Sequence, residues 1–183
     1  MTRIYMVRHG KAAASFGESA DPGLDDLGRQ QAEGAARTLA KLSPMKLVTS
    51  PLRRARETSL PLAALWKRDA VVENAVAEIP SPHGLGLAER AEWLRGFMQG
   101  SWHGALPDLA TWREACIAAL VAQKEEVVIF SHFIAINVAA GAALGDDRVI
   151  LYPPDNGSIT ILETDGARLH LRERGAQADT KVN

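Results

Sequence analysis

The chain holds a single cysteine, Cys116, among its 183 residues, so no internal disulfide can staple it. Nor does it contain an uninterrupted apolar run of about 18 residues, the length a helix needs to cross a bilayer. Met1-Thr2-Arg3 opens onto only four apolar residues, too few for a secretory signal. Charge of one sign is missing too. The 21 basic and 22 acidic side chains nearly cancel, which leaves no global field to attract nucleic acid or an anionic membrane. Neither a phosphate-binding Walker loop nor a Gly-x-Ser-x-Gly elbow occurs, which argues against a nucleoside triphosphatase and a serine hydrolase. His83, His103 and His170 are scattered without the paired spacing of a metal site. Cys116 lies on an apolar helix face with no arginine six residues later, so it reads as core rather than as a cysteine-phosphatase nucleophile. There is no repeat, low-complexity tract or interdomain linker. The expectation is a soluble, cytoplasmic chain with no nucleic-acid or membrane partner, whose preference for anions must be local. The sequence neither requires nor forbids a homo-oligomer.

Short apolar runs alternate with helical patterns, as in an α/β sheet with crossover helices. One domain over residues 1–175 is expected, and a domain of this size buries roughly 70% of the surface its unfolded chain exposes. Residues 3–7 form the first strand. Asp25 is a suitable N-cap for a helix carrying Leu27, Ala32, Ala35, Leu39 and Leu42 close to the 3.6 period, up to Ser43-Pro44. Lys46, Leu47 and Val48 make a second strand, Pro51 fits the first turn of a helix reaching Trp66, and Val71-Val72 adds a further strand. Residues 79–107 are rich in proline and glycine around one helix at 88–97, and read as a surface excursion that faces substrate. Leu109, Trp112, Cys116, Ile117 and Leu120 share one helix face. Val127, Val128, Ile129 and Phe130 form a strand buried on both faces, and 133–144 is a helix apolar all round, stopped by Gly145. Strands at 158–162 and 168–172 flank the hairpin signal Asp165-Gly166. Residues 176–183 are polar and expected to fray. Trp93, Phe97, Trp102 and Trp112 read as packing residues, although Trp102, beside His103, could touch substrate.

The residues suited to chemistry gather at strand ends. Parallel strands joined by right-handed crossovers bring their carboxyl ends to one edge, where ligands bind. The first strand ends at Arg8-His9-Gly10, the second at Ser50 followed by Arg53, Arg54 and Arg56, and another at Ser131-His132. A helix beginning near Pro51 adds its positive end to the same edge. Arginine offers a planar fork of donors to a phosphate dianion, and neutral imidazole is available at cellular pH to attack phosphorus. A carboxylic acid held protonated by burial would serve the leaving oxygen. Glu78 is best placed along the chain, with Glu73 and Glu89 as competitors.

Arg8-His9-Gly10, Leu24-x-x-x-Gly28-x-x-Gln31-Ala32, Ser50-Pro51-Leu52-x-Arg54-Ala55-x-x-Thr58, Glu78 and Ser131-His132, taken in order, resemble the motifs of the histidine phosphatase superfamily, also called phosphoglycerate mutase-like. The resemblance covers about residues 3–163. It implies a three-layer α/β/α fold with a mostly parallel central sheet, no metal and no cofactor. It also implies that His9 is the nucleophile that becomes phosphohistidine, that Arg8, Arg54 and His132 hold the phosphoryl oxygens, and that Glu78 is the proton donor. The match to the motif is what separates Arg54 from Arg53 and Arg56. Two candidate substrate-binding positions depart from the family: Ser15 stands where many members carry asparagine, and Phe133 follows His132 where glycine is common. The implied activity is a metal-independent phosphatase acting on a phosphorylated small molecule or a phosphoprotein. A phosphoglycerate-type mutase and a non-catalytic anion-binding or scaffold module are the alternatives. The mutase is disfavoured because the mutases of the family are longer, with extra segments that shield the intermediate from water.

Overall fold

The computed structural model describes residues 1–15 and 18–178. Six strands form one mixed sheet: β1 (Thr2–Arg8), β2 (Lys46–Thr49), β3 (Val71–Val72), β4 (Val127–Ser131), β5 (Ile159–Thr164) and β6 (Leu169–Glu173). Their order across the sheet is β3-β2-β4-β1-β5-β6. β3, β2, β4 and β1 run parallel, whereas β5 is antiparallel to β1 and β6 antiparallel to β5. The α/β class and the mostly parallel sheet are as the sequence predicts.

Among the described residues the α-helices are α1 (Asp26–Leu39), α2 (Arg53–Trp66), α3 (Leu87–Phe97), α4 (Pro107–Val121) and α5 (Phe133–Leu144). Side chains alternate across β1 and so feed two cores. Tyr5 and Val7 pack with Leu39, Leu47, Leu62 and Phe130 beneath α1 and α2. Ile4 and Met6 pack on the other face with Ile129, Cys116, Leu120 and Ile136, beneath α4 and α5. α5 is buried from Phe133 through Gly141, its one polar side chain there, Asn137, accepting from the Leu151 and Tyr152 amides, and Gly145 ends it in the left-handed region at φ 66°.

Local chemistry sets most boundaries. Asp25 caps α1 by accepting a hydrogen bond from the Gly28 amide at 2.7 Å. α1 stops at Leu39, so Leu42 lies past its end, and Leu27 points off the packed face; both are exposed. α2 begins at Arg53 rather than at Pro51, because the Ser50 hydroxyl accepts the Leu52 amide at 3.2 Å and keeps residues 51 and 52 in a turn. The stretch 79–107 is tied to the body more firmly than an excursion suggests. Trp102 is buried in the core, and its amide donates to the Asp147 carbonyl at 2.8 Å. Residues 176–178 of the tail expected to fray are instead held: the Ala176 carbonyl accepts from the Asp155 amide and the Ala178 amide donates to the Pro153 carbonyl. Residues 179–183 of that tail lie outside the described residues.

Candidate active site

β1, β4 and β2 end level with one another, and this register gathers the polar residues. Arg8 pairs with Ser131 and Thr49 with Phe130, while the His9 amide donates to the Ser131 carbonyl and the Ser50 amide to the Phe130 carbonyl. His9 and His132 therefore leave adjacent strands side by side, their ring centroids 5.1 Å apart and their planes inclined at 58°.

His9 is 7% exposed. Its Nδ1 lies 2.7 Å from the Gly10 carbonyl, which can only accept, so Nδ1 carries the proton and Nε2 carries the lone pair. Arg54 Nε donates to that lone pair at 3.2 Å. Burial first, then the positive Arg54 and Arg8, hold the His9 imidazole well below its ordinary pKa and hence neutral. The backbone around it is locked from α1 and α2. The Gly10 amide donates to Thr58 Oγ1 at 3.0 Å, and the Lys11 amide to Gln31 Oε1 at 2.8 Å. Gly10 and Gly28 pack backbone to backbone; a Cβ on Gly28 would stand 2.1 Å from the Lys11 carbonyl oxygen. The Gly28 and Gln31 positions thus hold the loop that follows the nucleophile candidate.

Arg8 lies half-buried, with Nη1 donating to the Pro154 carbonyl at 2.7 Å and its guanidinium 4.9 Å from the centre of the Phe133 ring. That ring covers one side of the guanidinium, Nε is buried without a hydrogen-bond partner, and Arg8 lines the cavity. Arg54 is buried, whereas Arg53 is exposed and pairs with Glu57 at 2.6 Å, and Arg56 is exposed. His132 is fully buried at the N-cap of α5, and its Nε2 lies 2.7 Å from Ser50 Oγ.

Glu78 is 7% exposed and follows a short 3-10 turn, Asn74–Val76, pinned by Ser131 Oγ donating to the Val76 carbonyl. One of its carboxylate oxygens accepts from the Ile79 amide, and the other stands 4.0 Å from His132 Nδ1. Burial raises its pKa, against the opposing pull of Arg54, Arg8 and Arg90. The competing carboxylates are used elsewhere: Glu73 accepts from the Ala75 amide and Glu89 from the Gly86 amide. Ser15 lines the cavity, but its hydroxyl donates to Glu18 at 3.0 Å. Among the described residues, then, Arg8, His9, Arg54, Glu78 and His132 converge, and Ser15 and Phe133 stand around them.

Sequence reasoning missed the segment before β5. Because β5 is antiparallel to β1, the chain enters it beside the end of β1, and Asn156 Nδ2 donates to the His9 carbonyl at 2.9 Å. Asp155-Asn156-Gly157, a turn-forming cluster just ahead of a strand, was the available signal. Arg8, His9, Arg54, Glu78, Phe133 and Asn156 line a cavity of about 750 Å³, with the fully buried His132 behind His9. One wall comes from α3 through Ala88, Ala91, Leu94 and Arg95, with Met98 just beyond, and the facing wall from Ala12 to Ala14, Ala20 and Pro22.

A neutral imidazole whose Nε2 lone pair is met only by an arginine N–H, faced by guanidinium groups and a buried carboxyl, is equipped for nucleophilic attack on an anionic centre once an anion takes that arginine. Residues 4–177 match the family model described as the histidine phosphatase superfamily (branch 1). A glucosyl-3-phosphoglycerate phosphatase of Mycolicibacterium vanbaalenii is 44% identical over 64 residues, which cover 33% of this chain and 28% of that protein. The chain spans between 27% and 52% of the length of the curated relatives it matches. The native structure of a mycobacterial glucosyl-3-phosphoglycerate phosphatase superposes with a TM-score of 0.76 at 27% identity, covering 97% of this chain and 100% of that one. In fold alone, a phosphoserine phosphatase from Entamoeba histolytica is also similar, with a TM-score of 0.76 at 21% identity over 97% of this chain and 98% of that one.

Proposed function

The chain belongs to the histidine phosphatase superfamily, and from that membership and the site's geometry we propose that it is a phosphomonoesterase working by double displacement through His9. The observation that carries this reading is the His9 tautomer, fixed by the Gly10 carbonyl so that the Nε2 lone pair faces Arg54. When a phosphomonoester enters, its oxygens take the Arg54 donors and release that lone pair. His9 Nε2 then bonds to phosphorus while the ester P–O bond breaks. The charge on the transferring group is met by Arg8, Arg54 and His132, and Glu78 gives its proton to the departing alkoxide. In the second half, Glu78 takes a proton from water as the water oxygen attacks phosphorus, and the P–N bond breaks to free phosphate and His9.

Small molecules suit the cavity better than a protein chain, since its volume falls within the range of small-ligand sites. Its alanine-rich walls and the Leu94, Met98 and Ile134 side chains favour an alcohol with an apolar body. The test is a panel of phosphomonoesters scored for phosphate release, with rapid quenching to trap acid-labile phosphohistidine. His9→Ala should abolish both. Wild-type phosphate release by that variant would end the proposal, and formation of an isomer instead of phosphate from a phosphoglycerate would replace it with a mutase.

A further inference from the structure

Ser50 has so far entered only as a turn residue, yet it makes the one hydrogen bond described for the His132 ring. Both residues are fully buried, and Ser50 Oγ stands 2.7 Å from His132 Nε2. The same oxygen accepts the Leu52 amide at 3.2 Å, while the Ser50 amide is used by the Phe130 carbonyl. A serine hydroxyl has a single proton, and it needs an acceptor once the oxygen has accepted from the backbone. Of the groups bonded to Oγ, only His132 Nε2 can supply a lone pair. The His132 ring proton is then placed on Nδ1. That nitrogen is buried without a hydrogen-bond partner and faces Glu78 Oε2 at 4.0 Å.

We propose that Ser50 is a positioning residue that holds His132 as its Nδ1–H tautomer, aiming a neutral donor at the phosphoryl oxygens beside His9. The opposite tautomer would turn a lone pair toward an anion and repel it. Neutrality matters as well. A donor without a charge binds phosphoryl oxygen without adding a third cation next to Arg8 and Arg54, and it cannot protonate His9. This role rests on the phosphatase reading, but the tautomer itself does not, and the experiment separates the two.

The protein labelled with 15N in its histidines is examined by long-range 1H–15N correlation near neutral pH, with the His132 ring assigned by comparison with a His132→Asn variant. A protonated Nδ1 and bare Nε2 in the wild type are expected. A bare Nδ1 and protonated Nε2 would overturn the proposal without touching the phosphatase reading. Ser50→Ala should then shift His132 toward the Nε2–H form or a mixture and lower kcat about 10²- to 10³-fold, the range for losing one preorganised donor, with a smaller change in KM. An unchanged tautomer in a folded Ser50→Ala protein would overturn the assignment to Ser50. A shifted tautomer with unchanged kcat would overturn its positioning role. If the wild type releases no phosphate from any ester, the function falls while the tautomer result stands.

Discussion

Two residues of one site are pushed in opposite directions by the same burial. His9 is driven well below its ordinary pKa because desolvation penalises its cation, while Glu78 is driven up because desolvation penalises its anion. Neutral imidazole and neutral carboxylic acid are the forms that the first chemical step requires. The acid limb that His9 contributes to kcat/KM, which reports the free enzyme, should therefore lie well below pH 6.5, the ordinary histidine value. Activity should fall on the alkaline side as Glu78 ionises. Glu78→Gln should lower kcat about 10²- to 10⁴-fold, the usual worth of a positioned general acid, and flatten the alkaline limb. Wild type and variant are compared on one ester, so that the substrate's own second ionisation, near about 6, is common to both. An alkaline limb that survives in Glu78→Gln would remove this carboxyl from the proton-transfer role.

At the scale of elements, the loop after β1 owes its shape to α1. Gly28 lets the first turn of α1 lie against the Lys11 backbone, and a Cβ there would stand 2.1 Å from a carbonyl oxygen that cannot swing away as a flexible side chain would. Gly28→Ala should cost about 1–3 kcal/mol, as overpacking does, and should depress kcat by shifting His9. A denaturant midpoint and a rate equal to wild type would show that the loop does not depend on this contact. α3 sets the opposite wall, where Ala91 faces the cavity. Ala91→Asp should lower kcat/KM for an aryl phosphate roughly tenfold, the effect of setting a charge in an apolar wall, and should leave a small polar ester less affected. Equal losses on both would argue against an apolar alcohol pocket. The parts legible in the sequence were those with strong local signals: the buried strand 127–130, the largely apolar α5 and the Asp25 cap. The parallel strand ends also followed from topology alone. What stayed illegible depends on long-range register. The approach of Asn156 to His9 exists only because β5 turns antiparallel, and the pairing of Ser50 with His132 spans 82 positions.

For the molecule as a whole, placing two neutral histidines and one raised carboxyl in the interior links folding to pH. His9 and His132 have native pKa values well below 6.5, so between those values and about 6.5 the unfolded chain binds protons that the native chain does not. Their contribution to stability is complete above about pH 6.5 and is lost as the pH falls. Glu78 works the other way. Its native pKa is raised, so its contribution is complete below the ordinary glutamate value and is lost as the pH rises through the native one. The half-buried Asp146, held down to about 2 by Arg148, changes charge far below this range and does not enter. Two histidines against one carboxyl make the balance favour neutral pH. The urea midpoint should therefore drop between pH 7.5 and pH 5.5, and a His9→Ala/His132→Ala protein should show a flatter dependence over the same interval. A wild-type midpoint that rises on acidification would mean that Glu78 outweighs both rings. Inorganic phosphate supplies an independent check, because a ligand that binds only the native state stabilises it in proportion to its affinity. It should raise the wild-type melting temperature and do so much less in Arg54→Ala, where the guanidinium fork facing His9 is gone.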